Sequence, residues 1–443
     1  MSNNKKNGPG AARQIIAGWL IDGSGQPARR NMRLEILDGR FAAVHPLGND
    51  GASAGAAASG DLDFADCTLM PALVDSHVHL FMSGTPDPSV RRQQLAAAYD
   101  DMRPVIARHL GQHLAAGVLA VRDGGDRQGH ARRFRDEAPA GGLQAMRLRV
   151  AGVAWHAHGR YGRLIARPPA SGGSLGASLS AALDLDRQGG ARQPDHVKIV
   201  NSGLNSLVCF GSQTRPQFSL AELREAVRVA HRRGLTVMVH ANGAVPVGLA
   251  LAAGCDSIEH GFFMGPDNLA KMAAGAAVWV PTAVTMQAYA HTLDPASREA
   301  GGALRNLEHQ LAQLQTARTL GVRVALGTDA GSLGVHHGRA LHEEMALLMT
   351  AGFSVEEAVR CATVNGARLL GLPHAGRIEP GAPATFIAVT GSPRELPASL
   401  TGVAARFSDG ALLDSQELNS AAGTQGLGHT KPPSHPACGP SGA

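Results

Sequence analysis

Two histidines one residue apart, His77 and His79, close an apolar run that begins at Leu69. On a β-strand, residues i and i+2 face the same way, roughly 7 Å apart, so two imidazoles at this spacing can grip one metal ion from one side. Further residues of ligating type stand at the ends of apolar segments later in the chain: Lys198, His240, His260 and Asp329. Four imidazoles and a carboxylate are borderline-soft nitrogen and oxygen chemistry, suited to zinc or a similar divalent ion. Singly, each has a plainer reading. A strand-end histidine can be an ordinary polar residue, Lys198 a solvated strand lysine, and Asp329 a turn cap. Their joint fall at expected strand ends is what favours a metal site.

The elements that must position these residues alternate along the chain. Residues 14–21, 32–37 and 40–44 read as strands, with a hairpin turn at Asp38-Gly39. Residues 1–11 read as disordered and 48–60 as a Gly/Ala/Ser-rich connector. After His79 one unit recurs: a helical segment, a glycine, a short apolar strand, then polar residues. It predicts strands at 118–121, at 148–155 before His156-Ala157-His158, at 196–200 around Lys198, and at 235–239 before His240. Others follow at 255–258 before Glu259-His260, at 277–280, and at 322–326 before Gly327-Thr328-Asp329. Ser219 with Glu222, and Ser354 with Glu357, form capping boxes that start two of the helices. With the strand before His77 this makes eight strand–helix units, which implies an α/β chain closed as a (β/α)8 TIM-like barrel with its site at the C-terminal strand ends. A strand at 385–389 and a hairpin of 403–407 and 411–413 about Ser408-Asp409-Gly410 are expected to join the N-terminal strands in a small β-sandwich. The expected organisation is 12–68 plus 373–418 as the β-domain, 69–372 as the barrel, and 1–11 and 419–443 disordered.

At 443 residues and 44% apolar content, the chain can bury a large core, built mainly from aliphatic residues because aromatics are only 4%. The net charge of +5 is mild for this length, and no long basic run is present, which disfavours nucleic acid as a partner. No stretch nears the roughly 18 apolar residues of a membrane span, and the polar start lacks a signal-type apolar run. The five cysteines are scattered and odd in number, so they read as free thiols of a reducing, cytoplasmic compartment. Of the 41 basic residues only five are lysines, so a lysine at position 198 is an uncommon choice.

The segment Pro71-Ala72-Leu73-Val74-Asp75-Ser76-His77-Val78-His79 resembles the first-strand motif of the amidohydrolase superfamily. The similarity extends through Arg122-Asp123, Val239-His240-Ala241-Asn242-Gly243, Ile258-Glu259-His260-Gly261, Gly327-Thr328-Asp329-Ala330-Gly331 and Gly376-Arg377-Ile378-Glu379-Pro380-Gly381. It points to the imidazolonepropionase-related branch that includes Xaa-Pro and Xaa-Arg/Lys dipeptidases. Ala72 departs from the glycine usual there. The resemblance implies two divalent ions, zinc being the expected metal. His77, His79 and Asp329 would hold one, His240 and His260 the other, with a carboxylated Lys198 bridging them. It further implies that Asp329 is the catalytic proton shuttle.

The function expected is hydrolysis of an amide bond in a small substrate such as a dipeptide or N-acyl amino acid. A cyclic amide or lactone, or a one-metal deaminase or imidazolone-type reaction, is the alternative, and Lys198 argues against the one-metal forms. A non-catalytic scaffold would be expected to have lost ligands, and every position is filled. Substrate contacts are sought in the loop holding His156, His158, Tyr161 and Arg163, and at Asn201, Asn205, His336 and His337, with Arg163 pairing a carboxylate. The expected partners are a small-molecule substrate and a second copy of the chain, with no nucleic acid and no membrane.

Overall fold

The computed structural model describes residues 13–48, 61–137 and 145–413. The readings for 1–11, for nearly all of 48–60 and for 419–443 fall outside these. The fold is α/β, with two parallel sheets and one mixed sheet.

The mixed sheet draws on both ends of the described chain. Its seven strands run in the order Ala411–Leu412, Val403–Ser408, Phe386–Thr390, Leu62–Pro71, Arg13–Leu20, Arg29–Leu37 and Arg40–Pro46. The expected joining of C-terminal and N-terminal strands occurs where Phe386–Thr390 pairs antiparallel with Leu62–Pro71. The seven strands form a single hydrogen-bonded sheet that curls until its far edge meets the 381–384 turn, where the Phe41 amide donates to Ala382 O at 3.0 Å. Its two halves share one core, with Phe41 packed on Phe386 and Phe386 stacked on Phe407 at 4.3 Å.

The parallel strands lie in two sheets. One holds Leu73–Val78, Val118–Asp123 and Arg147–Val150. The other runs Val278–Val280, Ser257–His260, Thr236–Ala241, His196–Val200, Ala154–Trp155 and Ala166–Arg167. Most of these strands are buried along their whole length, as parallel strands covered on both faces must be. The helices between them form where the sequence expects. Leu220–His231 starts on the Ser219/Glu222 capping box and buries Leu223, Val227 and Ala230, and Gly234 follows it at φ +70°.

Two expected strands differ. The segment 148–155 breaks into Arg147–Val150 and Ala154–Trp155, because Gly152 adopts φ +68° and turns the chain between the sheets. Residues 322–326 do not form a full strand. They are extended and hydrogen-bonded on both sides, with the Ala325 amide donating to Trp279 O and the Ser76 amide to Leu326 O, each at 2.9 Å. The Leu326 amide turns away to Cys361 O at 3.1 Å, so the ladder stops after a single bridge at Val324. Asp75 then clamps the next residues, accepting from the Thr328 hydroxyl at 2.7 Å and the Thr328 amide at 3.0 Å. The helix after Ser354 is also not continuous: Val355–Arg360 passes through a π-turn at Cys361–Asn365 before Gly366–Leu369.

A group of buried histidines fastens the two loops that follow His79 and Asp329. His109 donates through Nδ1 to Leu80 O, and His337 donates through Nε2 to Met82 O, both at 2.8 Å. With its Nε2 protonated, His337 accepts at Nδ1 from His113 Nε2 at 3.2 Å, and it stacks on His109 at 4.0 Å. Burial, followed by the neighbouring imidazoles, pushes His113 down to about 3, so it is neutral in the fold. An unfolded histidine titrates near 6.5. This depressed folded value contributes stability above about pH 6.5 that is lost as the pH falls toward 3. His113→Leu should therefore flatten the dependence of unfolding free energy on pH between about 6 and 4, by about 1.4 kcal/mol per pH unit. Urea unfolding at several pH values measures this, and an unchanged slope would contradict it.

Candidate metal centre

His77 and His79 leave the strand Leu73–Val78 side by side, with ring centroids 5.4 Å apart. Each has one nitrogen fixed as a donor. His77 Nδ1 donates to Glu259 Oε2, and His79 Nδ1 donates to the Gly125 carbonyl, both at 2.9 Å. Each Nε2 therefore carries a lone pair. Both lone pairs point at Asp329 Oδ1, which is 3.5 Å from His77 Nε2 and 3.3 Å from His79 Nε2.

Neither contact is an ion pair. Burial, with the Lys198 charge next, holds His77 well below the usual histidine range and His79 near 3. Three electron-pair donors within 4.8 Å of one another repel unless a cation lies among them. The structure also leaves room for one, since a Cβ on Gly124 would come 2.8 Å from His79 Cε1 and 3.2 Å from His77 Nε2. These residues fit a divalent ion.

His260 and His240 adjoin this group. His260 stands 5.0 Å from the His77 ring and 4.5 Å from the His240 ring, centroid to centroid. Nδ1 of His260 bonds the Thr282 hydroxyl at 2.7 Å, which leaves Nε2 for a ligand. His240 is fixed the other way round: Nε2 donates to Gly203 O at 3.2 Å, so Nδ1 carries its lone pair. Lys198, 1% exposed, sends Nζ to 3.3 Å from His77 Nε2. No carboxylate of the described residues makes an ion pair with it. Burial pulls its pKa down to about 8. Asp329 is raised to about 6 by burial, opposed next by Lys198, and its Oδ2 accepts from the Ser332 hydroxyl at 3.0 Å.

The backbone is bent to achieve this. His260, Thr282 and Asp329 all have positive φ, at 68°, 48° and 59°. Such conformations are uncommon outside glycine and most unusual for a β-branched residue, and they concentrate at functional sites.

The six expected ligands, His77, His79, Lys198, His240, His260 and Asp329, thus all line one cavity of about 320 Å³. The substrate expectations fare differently. Tyr161 lines the cavity, its ring 5.6 Å from His240, and so does Asn205. His156, His158, Arg163, Asn201 and His337 are not among the lining residues. His156 donates to the Ala157 carbonyl and His158 to that of Pro169, each binding its own loop. Arg163 is exposed. Asn201 spends its amide on Pro246 O and the Phe218 amide, and His337 belongs to the histidine group already described.

Sequence reasoning missed the groups that orient the ligands. Glu259 binds His77, is itself bound by Arg122 Nη2 at 2.8 Å, and also accepts from the Ser257 hydroxyl. Asp123 accepts from the Gly125 amide at 2.8 Å, fixing the carbonyl that holds His79. Arg122, Asp123 and Glu259 lie in the recognised motifs, but nothing in their spacing reveals that Arg122 and His77 meet Glu259 from more than a hundred residues away.

Across residues 68–412 the chain matches the amidohydrolase family. It is 26% identical to an uncharacterised protein of Mycobacterium tuberculosis over 86% of this chain and 91% of that one. It is also 26% identical to an imidazolonepropionase of Polaromonas sp., over 84% of this chain and 86% of that one. Among solved structures, a Xaa-Pro dipeptidase with methionine bound in its active site superposes with a TM-score of 0.75 at 26% identity, covering 91% of this chain and 99% of that one.

Glu259→Gln should lower folding stability by about 3–5 kcal/mol, because it leaves the Arg122 cation buried without a counter-charge. It should also weaken divalent-ion binding, because a neutral amide holds the Nδ1–H tautomer of His77 less firmly. Urea unfolding and metal analysis read the two effects. A variant with wild-type stability and divalent-ion binding would show that Glu259 does neither.

Proposed function

The chain belongs to the amidohydrolase family, hydrolases of carbon–nitrogen bonds, and on that premise we propose that it cleaves the amide bond of a small substrate such as a dipeptide or N-acyl amino acid. The observation that carries this is that His77 Nε2, His79 Nε2 and Asp329 Oδ1 come together in one cavity, within 4.8 Å of one another. The similarity to an imidazolonepropionase and to a Xaa-Pro dipeptidase supports the same class of bond.

We read the parallel strands as a (β/α)8 barrel over 69–372. Support comes from the hydrogen bonds that link its sheets: Trp279 to the 322–326 segment, and that segment to Ser76. Residues 12–68 and 373–418 then make the small β-domain. Free Cys67, Cys255 and Cys361 support a reducing compartment, and no helix of the described residues is long and apolar enough to cross a membrane.

In this reading His77, His79 and Asp329 hold one divalent ion, and His240 and His260 hold a second, zinc suiting both sets of ligands. When bound, such ions supply positive charge that polarises a carbonyl and acidifies a water. Asp329, raised to about 6, is still ionised at neutral pH, so its carboxylate takes a proton from the attacking water and delivers it to the leaving nitrogen. Lys198, with a pKa near 8, has a neutral fraction whose amine can attack carbon dioxide. An N–C bond would form and one proton leave, so that the buried amine would become a carbamate anion beside His77.

Asp329→Asn keeps the shape and one ligand oxygen but cannot carry the proton. At matched metal content it should lose about 10²–10⁴-fold in kcat. Turnover within a few-fold of wild type would remove Asp329 as the shuttle. Lys198→Ala should bind less metal and lose activity, and a short carboxylate in the buffer should restore part of both. Full metal loading in that variant would refute the bridging role.

A further inference from the structure

We propose that Arg91 anchors the substrate's carboxylate and that the site takes N-acyl amino acids in preference to free dipeptides. The inference rests on the amide-hydrolase reading above and names the substrate class of that same cavity. Arg91 lies on the helix Pro88–Ala96 and lines the cavity. Its Nη1 donates to Ser83 O at 2.8 Å and to Gly331 O at 3.0 Å. Those carbonyls belong to the segments that follow His79 and Asp329, so the plane of the guanidinium is set beside the proposed ligands. The opposite edge, formed by Nε and Nη2, is the one that matches a carboxylate with two parallel hydrogen bonds. Among the described residues that edge makes no hydrogen bond, and no carboxylate makes an ion pair with Arg91. A partly buried arginine, fixed at one nitrogen and open along its fork, is ready for an anion. Arg91, not the exposed Arg163, is the guanidinium this cavity presents.

The rest of the lining narrows the class further. Among the described residues Asp329 is its only aspartate or glutamate. A free dipeptide brings an ammonium group, and bringing that charge out of water without a partner is costly. Asp329 is already committed to the proposed metal site and to proton transfer, and a carboxylated Lys198 to the same site, so no free lining carboxylate of the described residues can receive an ammonium or a basic side chain. An acyl group on the nitrogen removes that charge. Much of the remaining wall is apolar, with Phe81, Met82, Leu207, Phe262 and Met286 facing the space, and it suits such a group.

The test compares N-benzoyl-L-leucine, N-benzoyl-L-leucinamide and L-phenylalanyl-L-leucine on zinc-supplied protein, with benzoate or leucine release as the readout. The wild type should favour benzoyl-leucine over both others by at least about 10-fold in kcat/KM. Arg91→Gln should reduce kcat/KM for benzoyl-leucine by about 10- to 100-fold, mainly through KM, and leave the amide within about three-fold. Arg91→Lys, which keeps the charge without the fork, should fall between. If Arg91 only ties the two loops together, both benzoyl substrates suffer alike, and that result overturns the anchor. A dipeptide cleaved as well as benzoyl-leucine overturns the N-acyl preference. If the wild type cleaves none of the three, the hydrolase reading fails for this class of substrate. The anchor is then decided by calorimetry with benzoyl-leucine: weaker binding to Arg91→Gln sustains it, and equal or absent binding overturns it.

Discussion

Glu259 sits wholly buried between Arg122 and His77, accepting from the guanidinium at 2.8 Å and from the imidazole at 2.9 Å. Arg122 is equally buried and also grips the Ser76 carbonyl at 2.8 Å, one residue before His77. A buried ion pair of this kind is weak evidence for stability, since apolar residues of similar volume often do as well. Its effect here is orientational. The carboxylate dictates which nitrogen of His77 holds the proton, and so which one faces the cavity as a lone pair. The pair joins the first parallel strand to its neighbour Val118–Asp123 and to Ser257–His260 across the interior.

The other ligands are fixed by the same logic with different partners. Gly125 O sets His79, the Thr282 hydroxyl meets His260, and Gly203 O turns His240 so that Nδ1 is its free nitrogen. Every free lone pair is then aimed into a space where none of the others can donate to it. Among the described residues Lys198 Nζ comes within reach of His77 Nε2, and a divalent ion fits the set as a whole. A cation bound selectively in the folded state would stabilise the fold by mass action and offset the left-handed backbone at His260, Thr282 and Asp329.

Much of this was legible because it is local. His77-Val78-His79 declares its common face through the two-residue period of a strand, and the Ser219 and Ser354 capping boxes form as written. Short apolar segments that follow a glycine located most of the parallel strands within a few residues. What was lost depended on tertiary partners. The turn at Gly152 and the short ladder at 322–326 follow from what the chain meets on either side, not from its own alternation. Arg163 and Arg91 are both arginines near ligand segments. Only the carbonyls of Ser83 and Gly331 decide that one faces the cavity, while the other lies exposed.

Lys198 shows why residue type, more than charge, governs the centre of the cavity. Arginine outnumbers lysine about seven to one in this chain, 36 of 41, and it carries the buried pair with Glu259 and the carbonyl-fixed position at the rim. Those places need a planar fork that stays charged. Position 198 is different. It is surrounded by neutral imidazoles and paired to no carboxylate, so a permanent cation there would be desolvated and would repel any metal ion its neighbours could hold. An ammonium can escape by losing its proton, and burial has already brought its pKa down to about 8. An amine that sheds its charge this easily is compatible with a site for cations, whereas a guanidinium at the same position would remain charged and exclude them.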